Sequence, residues 1–441
     1  MKKTVCAALM LWLASAAPCV AMAGDEAEAE VGKCLNESLW FRLQDVYAAD
    51  SASLSPMMSC FAKAMLCTVF NRPREATEAI STLVNRHQQE IGGANVVSMM
   101  SLLGYNYSAM GDNVKAAEVL KKIVDALEGR ADSATVAGLR CQQGVYETLG
   151  KYELYRRAHG VGATTAARFT LDRVPGDSTH VLMHIDGELN GHGCQAVFDT
   201  GAAYNVVTPS IAARHNLILT DAQLPVAGTR SGMGRVAIAR DFKMGKLTLH
   251  DVPFVVLDFD TDNPKARQAA KAYQCIIGQS LLMQFAAYTI DFQENTVTFS
   301  RDTIKTGAQR SNICIEVSGR TPSVEVVYGG KAFGAKIDTG ADRTMLGNAF
   351  YRDNTAVIAR DGKWAVAASS GYGGIVYNSV FRLPQLAMSV CGKPFTLHDV
   401  PVSGLPTGNA LMAGYGRLGI DFFRLWRKVR VDNVAMRLTV E

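Results

Sequence analysis

Cys194-Gln-Ala-Val-Phe198-Asp199-Thr200-Gly201-Ala202 and Ala335-Lys-Ile337-Asp338-Thr339-Gly340-Ala341 place one acidic tetrapeptide twice in the chain, 139 residues apart, each time after an apolar run. A single such tetrapeptide arises by chance about once per hundred chains of ordinary composition. Two in register with a longer repeat are not chance. Upstream of the first, His180-Val-Leu-Met-His-Ile185 alternates and is followed by the turn dipeptides Asp186-Gly187 and Asn190-Gly191. Upstream of the second, Ser323 to Tyr328 and Gly329-Gly330 follow the same pattern. Downstream, Leu-His-Asp-Val-Pro recurs at 249–253 and 397–401, Ile277-Gly278 matches Leu418-Gly419 at an offset of 141, and Ile290 to Phe299 matches Val431 to Val440. The region reads as two copies of one β-rich unit, joined near Asp302 to Asn312.

Within each copy the Gly after Asp-Thr lets backbone approach where a side chain would clash. An apolar pair follows, Val206-Val207 or Met345-Leu346. In the first copy Thr208-Pro209 then supplies a helix cap with proline at the first helical position. Each carboxylate is therefore expected at the end of a buried strand, held by tightly packed backbone.

On these residues the stretch from about 178 to 441 resembles the aspartic proteases of the pepsin and retropepsin type. The resemblance implies that two such units meet about a pseudo-twofold axis and bring Asp199 and Asp338 together as a catalytic dyad over one water. It also implies that Thr200 and Thr339 cross-link the two loops, with Gly201, Ala202, Gly340 and Ala341 supporting them, and that Ile277, Gly278, Leu418 and Gly419 pack beneath. Two carboxylates so close share one proton, so one serves as base and the other as acid, with no cofactor. Ala202 and Ala341 carry no hydroxyl to donate to the ionised pair, which predicts activity extending towards weakly acidic or near-neutral pH.

Two Gly-rich segments are flap candidates: Gly232-Met233-Gly234 in the first copy and Gly371-Tyr372-Gly373 in the second. Two candidates make the chain look like a single-chain version of a retropepsin dimer. Other motifs yield to plainer readings. His180, His184, His192 and Cys194 read as scattered strand and turn residues rather than metal ligands, and no metal is expected. His250 and His398 each precede an Asp in a strand, where neighbours point to opposite faces, so they read as structural. Gly414-Tyr-Gly-Arg-Leu-Gly419 fits a dinucleotide-binding string but lacks the surrounding parallel strand and crossover.

The front of the chain has a different texture. From about 39 to 162 it is Ala-rich with apolar residues at helical spacing, and look-alike turns at Asn71, Gly111 and Gly150 lie 40 and 39 residues apart. Each is expected to join two helices, in loose resemblance to tetratricopeptide-type hairpins. Such a region offers a surface for a peptide or protein partner, or simply caps the next domain. Lys2 and Lys3, the apolar run Val5 to Val20 and Ala21-Met22-Ala23 form an expected signal peptide over 1–23, with 24–38 a disordered acidic tail. Pro18 before Cys19 argues against a lipid anchor. The eight cysteines beyond it leave buried thiols and disulfides equally open.

The 441 residues carry 45 basic and 41 acidic side chains, a formal charge of +4, with 48% hydrophobic residues. No strongly charged partner is implied, nucleic acid is not expected, and beyond the signal no run crosses a bilayer. The chain is thus expected to be multidomain: all-α helical hairpins, then an all-β two-lobed retropepsin/pepsin-like acid protease fold, with lobes at 178–300 and 313–441. The expected function is an exported endopeptidase of a bacterial periplasm or surface, acting on a peptide or protein substrate. The rival is a non-catalytic peptide-binding or scaffolding protein.

Overall fold

The computed structural model describes residues 26–158, 162–175, 177–228, 231–259, 264–302, 310–317, 320–404 and 414–441. The expected signal peptide, the lipidation candidate Cys19 and most of the expected joint near 302–312 lie outside them.

The chain divides into two compact units, of which the first comprises the residues up to Leu154 together with Thr220–Val226 and Cys314–Ser318. Among its described residues up to Leu154 there are seven α-helices: α1 (Glu26–Asn36), α2 (Trp40–Asp50), α3 (Pro56–Val69), α4 (Pro73–Arg86), α5 (Gln88–Ala109), α6 (Asn113–Leu127) and α7 (Ser133–Leu149). Their ends follow local chemistry. Ser55, Asp112 and Asp132 accept hydrogen bonds from the backbone N–H of Met58, Lys115 and Thr135, groups that have no partner within the helix. The turns between α3 and α4 and between α5 and α6 need left-handed backbone, supplied by Asn71 (φ 52°) and Gly111 (φ 83°). Met65, Ile80, Leu83, Leu102, Leu120 and Tyr146 form the shared core.

Two expectations fail here. The tail expected to be disordered folds from Glu26 as α1, because Val31 and Cys34 lie three apart on one helical face and are fully buried, while Glu28 accepts from Ser55 N and Glu30 pairs with Arg42. The acidic residues Glu28 and Glu30 are thus half-buried and paired within the helical unit. The third hairpin lacks its second helix: after Leu149 and Gly150 the chain passes through Tyr155 (φ 58°) into strand β1 (Arg156–Arg157), which pairs with His250 and Leu249. Too few residues separate that turn from the strand for another helix.

The second unit carries the duplicated lobes. The first lobe's stretch of chain runs through β2 (Thr164–Val174), β3 (Asp177–Leu189), β4 (His192–Phe198), β5 (Val206–Val207), β6 (Ile218–Ala227), whose Thr220–Val226 is counted with the first unit, β7 (Ser231–Met244), β8 (Leu247–Val256) and β9 (Cys275–Ile277). Strands then order as β2-β3-β4-β9-β5-β8-β7, and β3 also pairs with β7, curling the sheet on itself. Strands β10 (Ala287–Asp291) and β11 (Thr296–Ser300) follow, and β11 pairs with β2, so the β region begins before residue 178.

After β12 (Ile313–Glu316), the second copy repeats the plan with β13 (Thr321–Tyr328), β14 (Lys331–Ile337), β15 (Met345–Leu346), β16 (Lys363–Gly371), β17 (Gly374–Val390), β18 (Lys393–Ser403) and β19 (Gly416–Leu418). Its order is β13-β14-β19-β15-β18-β17-β16, again with β13 closing on β17. The central registers coincide: β4 runs parallel to β9 with Phe198 opposite Ile277, and β14 runs parallel to β19 with Ile337 opposite Leu418. Finally β20 (Lys428–Asp432) pairs with both β10 and β21 (Arg437–Val440), Tyr288 facing Val431. The lobes therefore share a sheet through β10 and β20.

Among the described residues no helix is long and apolar enough to cross a membrane. All eight described cysteines are unbridged: Cys34, Cys67, Cys275 and Cys314 are buried, Cys60, Cys141 and Cys194 half-buried, and Cys391 exposed.

Candidate active site

Both acidic tetrapeptides begin where a central strand ends. Asp199 N donates to Ile277 O and Asp338 N to Leu418 O, each at 3.0 Å, so each loop is pinned to the strand beside it. Beneath the loops the glycines are structurally required. A Cβ on Gly278 would collide with Tyr204 O and approach Ala202 O to 2.7 Å, and one on Gly419 would lie 2.5 Å from the carbonyl carbon of Arg343. The two copies even use matched hydrogen bonds there: Gly278 N donates to Asn205 Oδ1, and Gly419 N to Thr344 Oγ1.

The loops meet through their threonines, which are wholly buried. Thr200 N donates to Thr339 Oγ1 and Thr339 N to Thr200 Oγ1, each at 3.0 Å. The same hydroxyls donate onward, Thr200 Oγ1 to Ile337 O at 2.9 Å and Thr339 Oγ1 to Phe198 O at 2.6 Å. A hydroxyl both accepts and donates, which is why the site needs threonine and not its shape-match valine. Two of the four bonds join loop to loop, and the other two tie the loop of each lobe to the end of the other's central strand.

This cross-link sets the carboxyl groups face to face. A Cβ on Gly201 would fall 2.5 Å from Asp338 Cγ, and one on Gly340 would collide with Asp199 Cγ, so each carboxylate rests against the other loop's glycine. Gly201 N donates to Asp199 Oδ1 (2.8 Å) and Gly340 N to Asp338 Oδ1 (3.1 Å). Burial, and then the Asp338 carboxylate within hydrogen-bonding reach, push Asp199 up to about 8, against the opposing pull of the Gly201 and Ala202 N–H groups. The arrangement can hold one proton between two acids near neutral pH.

The flap candidates fare unequally. Gly371 faces Gly374 across a two-residue turn of Tyr372 and Gly373, and Gly373 (φ 102°) adopts the left-handed backbone that such a turn demands. Gly232, Met233 and Gly234 lie inside β7 instead of at its tip, a correction to the sequence reading. Burial alternates through Met233, Gly234, Arg235 and Val236 as strand pleating requires. Tyr372 packs against Gly232 and Gly228, leaving no room for a Cβ at either, and its ring meets Phe259 edge-on at 6.0 Å. The glycines accommodate the tyrosine of the other lobe.

Among the described residues no three His, Cys, Asp or Glu side chains converge as a metal set. His184 pairs with Asp172 (3.0 Å), His180 lies 3.8 Å from Asp342, and His192 stacks edge-on against His215. His250 Nδ1 contacts Asp241 across the sheet at 2.6 Å, not its chain neighbour Asp251. Gly416 to Leu418, inside the dinucleotide-like string, are simply β19.

One site residue escaped the sequence reading. Arg417 Nε lies 3.7 Å from Asp338 Oδ2. Its signal was available, since the offset of 141 maps Arg417 onto Ile276, an apolar residue.

A model of the aspartyl protease family matches residues 185–281. No curated protein matches the chain. Among solved structures, EDGP is 12% identical with a TM-score of 0.36, covering 63% of this chain and 94% of its own. Basic 7S globulin from soybean is 11% identical with a TM-score of 0.34, covering 62% and 95%. A retropepsin-like aspartic protease from Rickettsia conorii is 17% identical with a TM-score of 0.21, covering 33% and 95%. With the family match inside the first lobe and the same strand plan in both, the β-rich region has the pepsin/retropepsin-like aspartic protease fold.

Proposed function

We propose that the protein is an exported aspartic endopeptidase in which Asp199 and Asp338 activate water against a peptide bond. The observation that carries this reading is the cross-linked pair of loops, with each carboxylate packed on the other's glycine. A binding protein has no need for two acids held together at the cost of raising one of them to about 8. With one proton on the pair, the ionised carboxylate takes a proton from the attacking water while the protonated one donates to the carbonyl oxygen. No covalent intermediate is involved.

Export rests on the Lys2 to Ala23 pattern. The helical unit is read as a surface for a protein partner, on the support of its consecutive helices. The deciding experiment incubates the chain from Gly24 with a broad peptide library beside Asp199→Asn and Asp338→Asn. Cleavage by the parent, lowered about 10²-fold or more in each variant, is expected. Peptide binding without cleavage by the parent sinks the reading.

A further inference from the structure

We infer that Arg417 is the positioning residue that breaks the symmetry of the acid pair, holding its negative charge on Asp338 and leaving its proton on Asp199; this rests on the dyad reading above. The two lobes present nearly identical loops, so backbone geometry alone does not distinguish the acids. The difference lies one layer away. In the first lobe Val197 is registered against Ile276, both buried and uncharged. At the matching positions of the second lobe Lys336 is registered against Arg417. A pair of aliphatic residues has thus become a pair of cations, on the strands that carry Asp338 into place.

Arg417 Nε reaches within 3.7 Å of Asp338 Oδ2, and it is buried without a hydrogen-bond partner. Its contact with the site is therefore mainly one of charge. A guanidinium stays charged at every pH the protein meets, which makes it a fixed bias and not a switch. Among the described residues the other charged groups on elements meeting at Asp338 are Asp199 opposite, Lys331 and Lys336 on β14, Asp342 and Arg343 on the following loop, and Asp421 beyond β19. Asp342 lies 3.8 Å from His180, Arg343 lies 3.4 Å from Asp399, and Asp421 accepts from Thr344, so these have other partners. Asp199, by contrast, is held up to about 8 by burial and by Asp338 itself. The two effects point the same way: charge on the second-lobe acid, proton on the first.

The test compares the parent with Arg417→Met and Arg417→Lys. In kcat/KM against pH, Arg417→Met is expected to move the acidic limb up by about one to three pH units, the range an adjacent cation commands, while Arg417→Lys keeps it near the parent's position. If Arg417→Met does not fold, Arg417→Gln, which keeps a polar side chain without the charge, is read in the same way. A variant that folds and loses rate with an unmoved profile overturns the inference. To separate this from failure of the dyad reading, the carboxyl carbons of 13C-aspartate-labelled protein are titrated by NMR without substrate. The pair's titrations shift in Arg417→Met if the inference holds, even if no peptide is ever cut; titrations identical to the parent's overturn it.

Discussion

At the residue scale, Asp199 is the group whose environment has most to say. Its carboxyl is raised from an ordinary 3.8 to about 8, so the folded chain holds that proton more tightly than the unfolded one. The stability this contributes is fully present below about pH 4 and is lost as pH rises through 8. Asp199→Asn, which carries no charge to bury, is therefore expected to raise Tm relative to the parent at pH 8, by about 2 °C or more, and to change it less at pH 5. Equal Tm differences at both pH values count against the buried, coupled pair. On the proposed dyad mechanism the same raised carboxyl is expected to set the alkaline limb of activity near pH 8, and Ala202→Ser, by adding a hydroxyl donor, is expected to move the acidic limb downwards in a pH-rate profile. Both acids and both threonines were readable from their duplicated setting. Arg417 was not singled out, since its charge matters only through a neighbour 79 positions earlier in the chain.

At the element scale, the loops depend on a hydroxyl that both gives and receives. Thr339→Val leaves Thr200 N without an acceptor and Phe198 O without that donor, in a wholly buried place. The expected loss is about 1–3 kcal/mol per orphaned group, measured as a lower denaturant midpoint, with kcat falling as the carboxylates lose their alignment. Thr339→Ser keeps the hydroxyl and is expected to retain most activity. A valine variant with parental midpoint and kcat contradicts the cross-link. Strand identity was legible from alternation and turn dipeptides, but the first flap shows the limit of that reading. Glycine at 232 and 234 signals a turn by composition, yet both lie within β7, and at 232 the missing side chain makes room for Tyr372. Helix α1 failed in the opposite direction, since its acidic residues hid a buried face of Val31 and Cys34.

At the scale of the whole molecule, the acid pair exists only because two lobes are joined. Strands β10 and β20 carry that joint, with Tyr288 and Val431 paired and buried. Val431→Asp buries an unpaired charge there and is expected to cost more than about 3 kcal/mol and to abolish the proposed cleavage, although it lies in neither Asp-Thr-Gly loop. Parental thermal stability in that variant removes the joint from the argument. Order along the chain suffices to establish the internal duplication, the strand that ends in each Asp, and the helical texture of the front, because these are short-range patterns of polarity and backbone preference. Folding alone settles that the carboxylates face each other's glycines, that β2 and β11 extend the lobe backwards, and that Arg417 stands beside Asp338. Those facts depend on distances between residues far apart in the chain, and electrostatic energy is a function of separation in space, not in sequence.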